Sequence, residues 1–288
     1  MINKTSLSAY IELTKPRILA LILVTTTIGF FLGGQGIVSV VKLLVTLTGA
    51  ALVCAGASSL NEYLEREEDS RMERTKNRPI PRRIISANGA LNYGILLVLA
   101  GVLTLGYGVN LLTAFLGLLT AFLYVLVYTP LKKFSWLNTS IGAIPGAIPP
   151  MGGWAAATGT LDTGAWILFM ILFLWQHPHF YAIAWMCRED YQKAGFKMLP
   201  TVEPEGRRTF RHIRLFSLLL IFVSLLPSLI GMSGPFYCYG ALGLGVALFL
   251  VGRGFAFSKT IEDARKLLKA SVIYLPILLF LIILDVSF

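Results

Sequence analysis

Asn61, Glu65 and Asp69 follow one another at intervals of four residues. On a helix that spacing places all three on one face, with Glu68 beside them and Glu67 pointing roughly opposite. The stripe would cover about 12 Å of helix at about 1.5 Å per residue. Oxygen donors repeated along one face suit Mg2+, which one or two carboxylates usually hold together with substrate phosphates and water. The stretch from Asn61 to Pro79 contains six acids and five bases. Of the bases, Arg74, Lys76 and Arg78 come directly after the acids and could clamp phosphate oxygens. A solvated helix end laced with i, i+4 Glu–Arg pairs is the plainer alternative. It gives the neutral donor Asn61, at the head of the ladder, nothing to do.

A second group lies further along. The run Trp175-Gln176-His177-Pro178-His179-Phe180 sits in an apolar stretch, and Arg188-Glu189-Asp190 follows it. Polar groups inside an apolar span are usually functional, although a hydrogen bond to a neighbouring helix explains a lone histidine equally well. His177 and His179 stand about 200° apart on a helix and do not ligate one metal together easily. Glu189 and Asp190 join Asn61, Glu65, Glu68 and Asp69 as candidate metal ligands. Tyr128-Thr129-Pro130-Leu131-Lys132-Lys133 reads by itself as an aromatic-and-lysine membrane boundary. The Gly- and Pro-rich run 142–153 either packs closely or lines a cavity.

These groups need a scaffold, and the composition says which kind. The 288 residues are 56% hydrophobic and 14% charged, whereas soluble domains carry roughly 25% charge. A soluble globule and a disordered chain are both excluded. Three cysteines (Cys54, Cys187 and Cys238), each in an apolar stretch, give neither a disulfide framework nor a Cys-based zinc site. The net charge of +10 belongs to the loops of an integral membrane protein and not to a nucleic-acid binder.

Stretches free of Asp, Glu, Lys and Arg run over 18–41, 43–61, 84–131, 134–161, 163–187, 215–252 and 270–284. A crossing takes about 20 residues. The third and sixth stretches are long enough for two, with turns at 107–110 and 231–235. An all-α polytopic protein of nine transmembrane helices results, over about 17–34, 40–61, 88–107, 110–130, 137–157, 164–187, 213–231, 235–253 and 269–286. The chemistry falls in the loops 62–87 and 188–212. With the N-terminus inside and the C-terminus outside, 24 of the 25 Lys and Arg lie in cytoplasmic segments, as the positive-inside rule demands. Lys42 is the exception, at an outer helix end from which it can snorkel. The start shows neither a cleavable signal pattern nor a transit peptide. Thr14-Lys15-Pro16 reads as a helix start.

Asn61-x-x-x-Glu65-x-x-x-Asp69 resembles the first acidic motif of the UbiA-type intramembrane prenyltransferases, and Tyr128-x-x-x-Lys132 resembles their Tyr/Lys pair. Three longer motifs are similar to the protoheme IX farnesyltransferase (heme O synthase) branch of that superfamily. They are Arg71-Met72-x-Arg74-Thr75-x-x-Arg78-Pro79, Trp175-Gln176-x-Pro178-His179-Phe180 and Asp190-Tyr191-x-x-Ala194-Gly195-x-x-Met198-Leu199-Pro200. The likeness runs from Leu13 to Pro200. It implies nine helices around a central cavity open to the cytoplasm, with Mg2+ as cofactor. The implied reaction gives the farnesyl group of farnesyl diphosphate to a vinyl group of heme B, and water then yields the hydroxyethylfarnesyl side chain of heme O. Asn61, Glu65, Asp69 and Asp190 would hold Mg2+ and diphosphate, and Arg74, Lys76, Arg78, Tyr128 and Lys132 would steady the diphosphate. His179, with Gln176 and His177, would lie on the heme side. The chain departs from the family at Glu65 and Glu67, where Asp is usual, at Cys187, where many members have an acid, and at Phe196-Lys197.

Two rivals remain. A quinone-pathway aromatic prenyltransferase of the same superfamily would have a second motif richer in Asp, and the Trp-Gln-x-Pro-His-Phe stretch argues against it. A transporter would place ionisable groups near the midplane, whereas here they gather at one face. The resemblance implies a multi-pass protein of the inner (plasma) membrane whose active site faces the cytoplasm. Its partners would be farnesyl diphosphate, heme B and the bilayer, with a heme A synthase or a terminal oxidase as recipient and no nucleic acid.

Overall fold

The computed structural model describes residues 6–286. Residues 1–5, with Lys4 of the charge count, and 287–288 lie outside the described residues. The fold is all-helical. A short α1 (Ser6–Leu13) leads into α2 (Pro16–Gly33), with Pro16 in the first turn, where its missing N–H costs nothing. The next helices are α3 (Val40–Leu64), α4 (Arg66–Arg71), α5 (Ala87–Gly108) and α6 (Leu111–Phe122). Ser39, Ser86 and Asn110 cap α3, α5 and α6 by accepting backbone N–H groups of the first turn. α6 runs on through a π-helical turn (Leu123–Tyr128) into α7 (Thr129–Leu131). Then come α8 (Asn138–Thr158), α9 (Thr163–Met186), the short α10 (Arg188–Lys193) and α11 (Leu199–Val202), and finally α12 (Arg207–Leu229), α13 (Pro235–Ser258) and α14 (Ile261–Leu284).

Among the described residues eight helical segments are long and apolar enough to cross a membrane: α2, α3, α5, the run Leu111–Leu131, α9, α12, α13 and α14. α8 has the length, at 21 residues, but Gly and Pro dilute its apolarity. It lies between α2, α6 and α9, so less of it needs to suit lipid. Large apolar side chains such as Leu21, Leu44, Leu96, Phe222, Leu250 and Phe280 stand exposed on the outer faces. In water that much apolar surface would aggregate; against lipid tails it is the required solvent face.

Close approach of backbones holds the bundle together. A Cβ on Gly56 would lie 2.6 Å from the Gly94 carbonyl oxygen, and one on Gly101 would lie 2.7 Å from that of Gly49. α3 and α5 therefore meet along facing glycines, as helices do where no hydrophobic drive separates them from lipid. α2 and α8 meet the same way: a Cβ on Gly29 would collide with the Pro150 carbonyl, and one on Gly153 with that of Thr26. Within the run 142–153, Gly142 faces the Tyr128 ring and Gly146 makes room for Gln176. At these positions the run serves packing.

Several helix ends differ from the apolar runs. α3 stops at Leu64 and Glu65 breaks the ladder helix (φ −96, ψ 9) before α4 resumes it. α12 begins at Arg207, not near 213, and α14 at Ile261, not near 269, with Thr260 as its cap. Lys and Arg mark where the bilayer ends, but a helix passes that boundary without difficulty.

Candidate active site

The ladder keeps its spacing across the break. Glu65 N–H donates to the Asn61 carbonyl (3.0 Å) and Asp69 N–H to the Glu65 carbonyl (2.7 Å). Asn61, Glu65, Glu68 and Asp69 are all buried, and so is Glu62. Burying carboxylates is expensive without partners, and all five of these residues receive a cation from another segment. Arg78 places Nη1 2.7 Å from Asp69 Oδ2 and Nε 3.7 Å from Glu62 Oε1. Lys132, just past α7, lies 2.6 Å from Glu65 Oε1, off the ideal hydrogen-bond direction, and Lys133 lies 2.6 Å from Glu68 Oε1. Lys15 Nζ donates to Asn61 Oδ1 at 2.8 Å. Asn61 Nδ2 in turn donates to Thr129 Oγ1 (2.9 Å), and that hydroxyl donates to the Tyr124 carbonyl in the π-helical turn (2.8 Å).

Electrostatics follow from this mutual burial. Desolvation raises the pKa of Asp69 against the pull of Arg78. Burial alone would lower Arg78, but Asp69 and Glu62 hold it above its ordinary value. Lys132 is likewise raised: desolvation pulls it down, but the Glu65 carboxylate together with Tyr128 and Tyr124 outweighs that burial. Lys15 behaves oppositely: burial of its amine end, with the Arg78 charge nearby, lowers it to about 8.

Glu62 Oε2, Glu68 Oε2 and Asp69 Oδ1 are buried and have no hydrogen-bond partner. Such hard, orphaned oxygens fit a hard cation like Mg2+. Among the described residues no three His, Cys, Asp or Glu are already gathered as a metal cage. The four cations stand among the carboxylates instead.

The other sequence candidates divide. Tyr128 lies beside the cluster, its ring centroid 4.6 Å from Lys132 Nζ. Arg74 rests on the Tyr191 ring at 4.5 Å, which joins α10 to the acidic loop. Asp190 is half-buried and Glu189 exposed. Lys76 is turned outward and paired with the exposed Glu73 at 2.6 Å. Gln176 Nε2 donates to the Ala143 and Leu172 carbonyls, which ties α9 to α8. His177 is fully buried, with Nδ1 2.8 Å from the Phe173 carbonyl, Nε2 3.1 Å from Ser140 Oγ, and its ring stacked on Phe216. His179 bonds Ser271 Oγ through Nδ1 (2.9 Å) and stacks on Trp175. Of the three heme-side candidates, only His179 keeps a ring nitrogen out of the bundle's own hydrogen bonds.

Lys15, Glu62, Thr129 and Lys133 carry no motif that marks them as site residues. Position gave a faint signal for two of them: Glu62 adjoins Asn61, and Lys133 adjoins Lys132. A cavity of about 560 Å3 opens beside the cluster, lined by Phe134, Trp136, Gln192, Phe196 and Lys197 among others. The Lys197 N–H donates to the Lys132 carbonyl (2.6 Å) and joins the two loops that bound it.

The UbiA prenyltransferase family model matches residues 22–278. A protoheme IX farnesyltransferase of Solibacter usitatus is 47% identical over 285 residues, 96% of this chain and 98% of that protein. Proteins of the same name from Koribacter versatilis and Salinibacter ruber are each 42% identical, over 96% of this chain and 92% and 98% of theirs. Among solved structures, a digeranylgeranylglyceryl phosphate synthase superposes with a TM-score of 0.80 at 19% identity, covering 97% of this chain and 98% of that one. A UbiA homologue from Archaeoglobus fulgidus bound to DMAPP and Mg2+ gives 0.69 at 18% identity, over 96% and 99%. By the family model and by relatives spanning nearly its whole length, the chain belongs to the UbiA prenyltransferase family.

Proposed function

We propose that this prenyltransferase moves the farnesyl group of farnesyl diphosphate onto a vinyl group of heme B with addition of water, giving heme O and diphosphate. The buried carboxylates with orphaned oxygens, set against cations from three other segments, carry the reaction class. They suit a metal-bridged diphosphate, in which acids and bases exchange each other for metal and phosphate. The acceptor is supported by the name of the relatives, and Mg2+ by the metal bound in the Archaeoglobus fulgidus homologue.

Asn61, Glu65, Glu68 and Asp69 would hold Mg2+, with Glu189 and Asp190 approaching from α10. When bound, Mg2+ takes up the charge of the departing diphosphate. Arg78 and Lys132 would turn from their carboxylates to the phosphate oxygens, with Arg74 joining from its place on Tyr191. Lys76 was expected among them, but its outward pairing with Glu73 leaves it only a peripheral part. Tyr128 keeps the Lys132 ammonium in place through its ring face. The apolar bundle excludes water while the vinyl electron pair bonds to C1 of the farnesyl group and the C1–O bond breaks. The cation left beside the porphyrin ring then takes a water, which loses a proton and becomes the hydroxyl. His179 would lie on the heme side, on a helix that Gln176 and His177 lock to its neighbours.

Nine spans around a cavity open to the cytoplasm, N-terminus in and C-terminus out, fit the one-sided charge. The inner membrane would house the chain, and a heme A synthase or terminal oxidase would take the product. Water labelled with heavy oxygen tests the reaction. The product heme should gain one labelled oxygen per farnesyl group, and a farnesylated heme without label would exclude the hydration step.

A further inference from the structure

Lys15 stands out from the rest of the cluster. Its backbone is left-handed (φ 50, ψ 64), a conformation that L-residues other than Gly seldom adopt. Such strain persists only where the surroundings enforce it. Here α1 supplies the enforcement. Its Ala9 and Leu13 are fully buried against Ile80, Ile85 and Ala90, so the helix is fastened to the loop that delivers Arg78. The forced turn aims the side chain inward, and Nζ reaches Asn61 Oδ1 at 2.8 Å. A lysine at a span mouth would ordinarily snorkel toward water; this one points at the head of the acid ladder. The oxygen it holds is the neutral donor of that ladder, so nothing else can use Asn61 Oδ1 fully while Lys15 stays.

We propose that Lys15 is a resident counter-cation and positioning residue that holds the metal's place in the ligand-free protein and passes to the diphosphate when the metal enters. Four buried acids (Glu62, Glu65, Glu68 and Asp69) are then matched by four cations (Lys15, Arg78, Lys132 and Lys133), so their formal charges balance. A divalent ion at Asn61 Oδ1 must displace the ammonium. The four-carbon stem lets the ammonium turn to a phosphate oxygen without moving α2. Lys15 thereby competes with free metal and cooperates with metal-bound diphosphate. The inference rests on the diphosphate chemistry proposed above.

The test is the melting temperature of the full chain in detergent, titrated with Mg2+ alone and with Mg2+ plus inorganic diphosphate. Wild type, Lys15→Met and Lys15→Arg are compared. Charge-assisted contacts set the scale at about tenfold in affinity. Lys15→Met should bind Mg2+ alone about tenfold more tightly, because the competing ammonium is gone. It should bind Mg2+ with diphosphate about tenfold more weakly, and Lys15→Arg should restore the second response. A lysine with a purely structural role would not move the two affinities in opposite directions. If Lys15→Met does not fold, Lys15→Gln keeps a donor to Asn61 without the charge and should show the same opposed shifts. Variants that match a responsive wild type, or that shift both affinities the same way, overturn the inference and leave the functional reading standing. A wild type indifferent to Mg2+ and diphosphate overturns both.

Discussion

Asp69 has one carboxylate oxygen 2.7 Å from Arg78 and the other buried without a partner. Asparagine keeps its shape and removes its charge. Asp69→Asn should lower turnover with farnesyl diphosphate by about 100-fold or more, roughly 3 kcal/mol of barrier for a lost metal ligand. The protein should still be recovered folded from the membrane, and turnover within a few-fold of wild type would remove Asp69 from the metal site. Two bases separate more sharply. Lys76 faces outward with Glu73, whereas Arg78 bridges Asp69 and Glu62. Lys76→Ala should leave the KM for farnesyl diphosphate within about twofold, the usual scale for exposed ion pairs. Arg78→Ala should raise KM and lower kcat together, by at least about tenfold overall. The acid ladder was legible because i, i+4 spacing survives even a broken helix. Lys15 and Lys133 were not, because their partners lie far off in sequence and only packing brings them together. Lys76 looked equivalent to Arg78 because direction on an irregular loop has no periodicity to read.

Helix cores were legible from hydropathy, and the turn at 107–110 from Gly108 and Asn110. Ends were less so. Charge located the bilayer edge near 213 and 269, while α12 starts at Arg207 after the left-handed Gly206 and α14 at Ile261 under the Thr260 side-chain cap. The π-helical turn Leu123–Tyr128 was invisible, since its residues are as apolar as those before it. Its extra residue matters, because the carbonyl of Tyr124 accepts from Thr129, which steadies Asn61. Nor could the sequence decide what the Gly- and Pro-rich run of α8 does. The structure sets Gly153 against α2, while Gly152 has open space where a Cβ would go. Gly29→Ala, across that contact, should destabilise by about 1–3 kcal/mol, because its Cβ meets the rigid backbone of Pro150. Gly152→Ala should melt like wild type. Equal melting of the two variants would contradict the close α2–α8 approach.

At the scale of the whole molecule, one-sidedness is the governing property. The C-terminal ends of α3, α7 and α9 converge with the acidic loop and α10, so every charged candidate gathers at one end of an otherwise apolar bundle. At the opposite end a long-range contact ties two helices: Asp285, just past α14, accepts from the Tyr237 N–H (2.7 Å) in the first turn of α13. Basic loops stay on the cytoplasmic side, so a single cysteine introduced at the exposed Lys76, with the native cysteines replaced, should react with a membrane-impermeant thiol reagent only from that side. Labelling from the opposite side would invert the orientation.

The most direct test of the proposed function is the mass of heme extracted from membranes that contain this chain and have received heme B, farnesyl diphosphate and Mg2+. The expected product is heme heavier by one farnesyl group plus one water, absent when Mg2+ is chelated and absent with Asp69→Asn. Unchanged heme, with farnesyl appearing on a phenolic acid supplied to the same membranes, would contradict it and return His179 to packing alone.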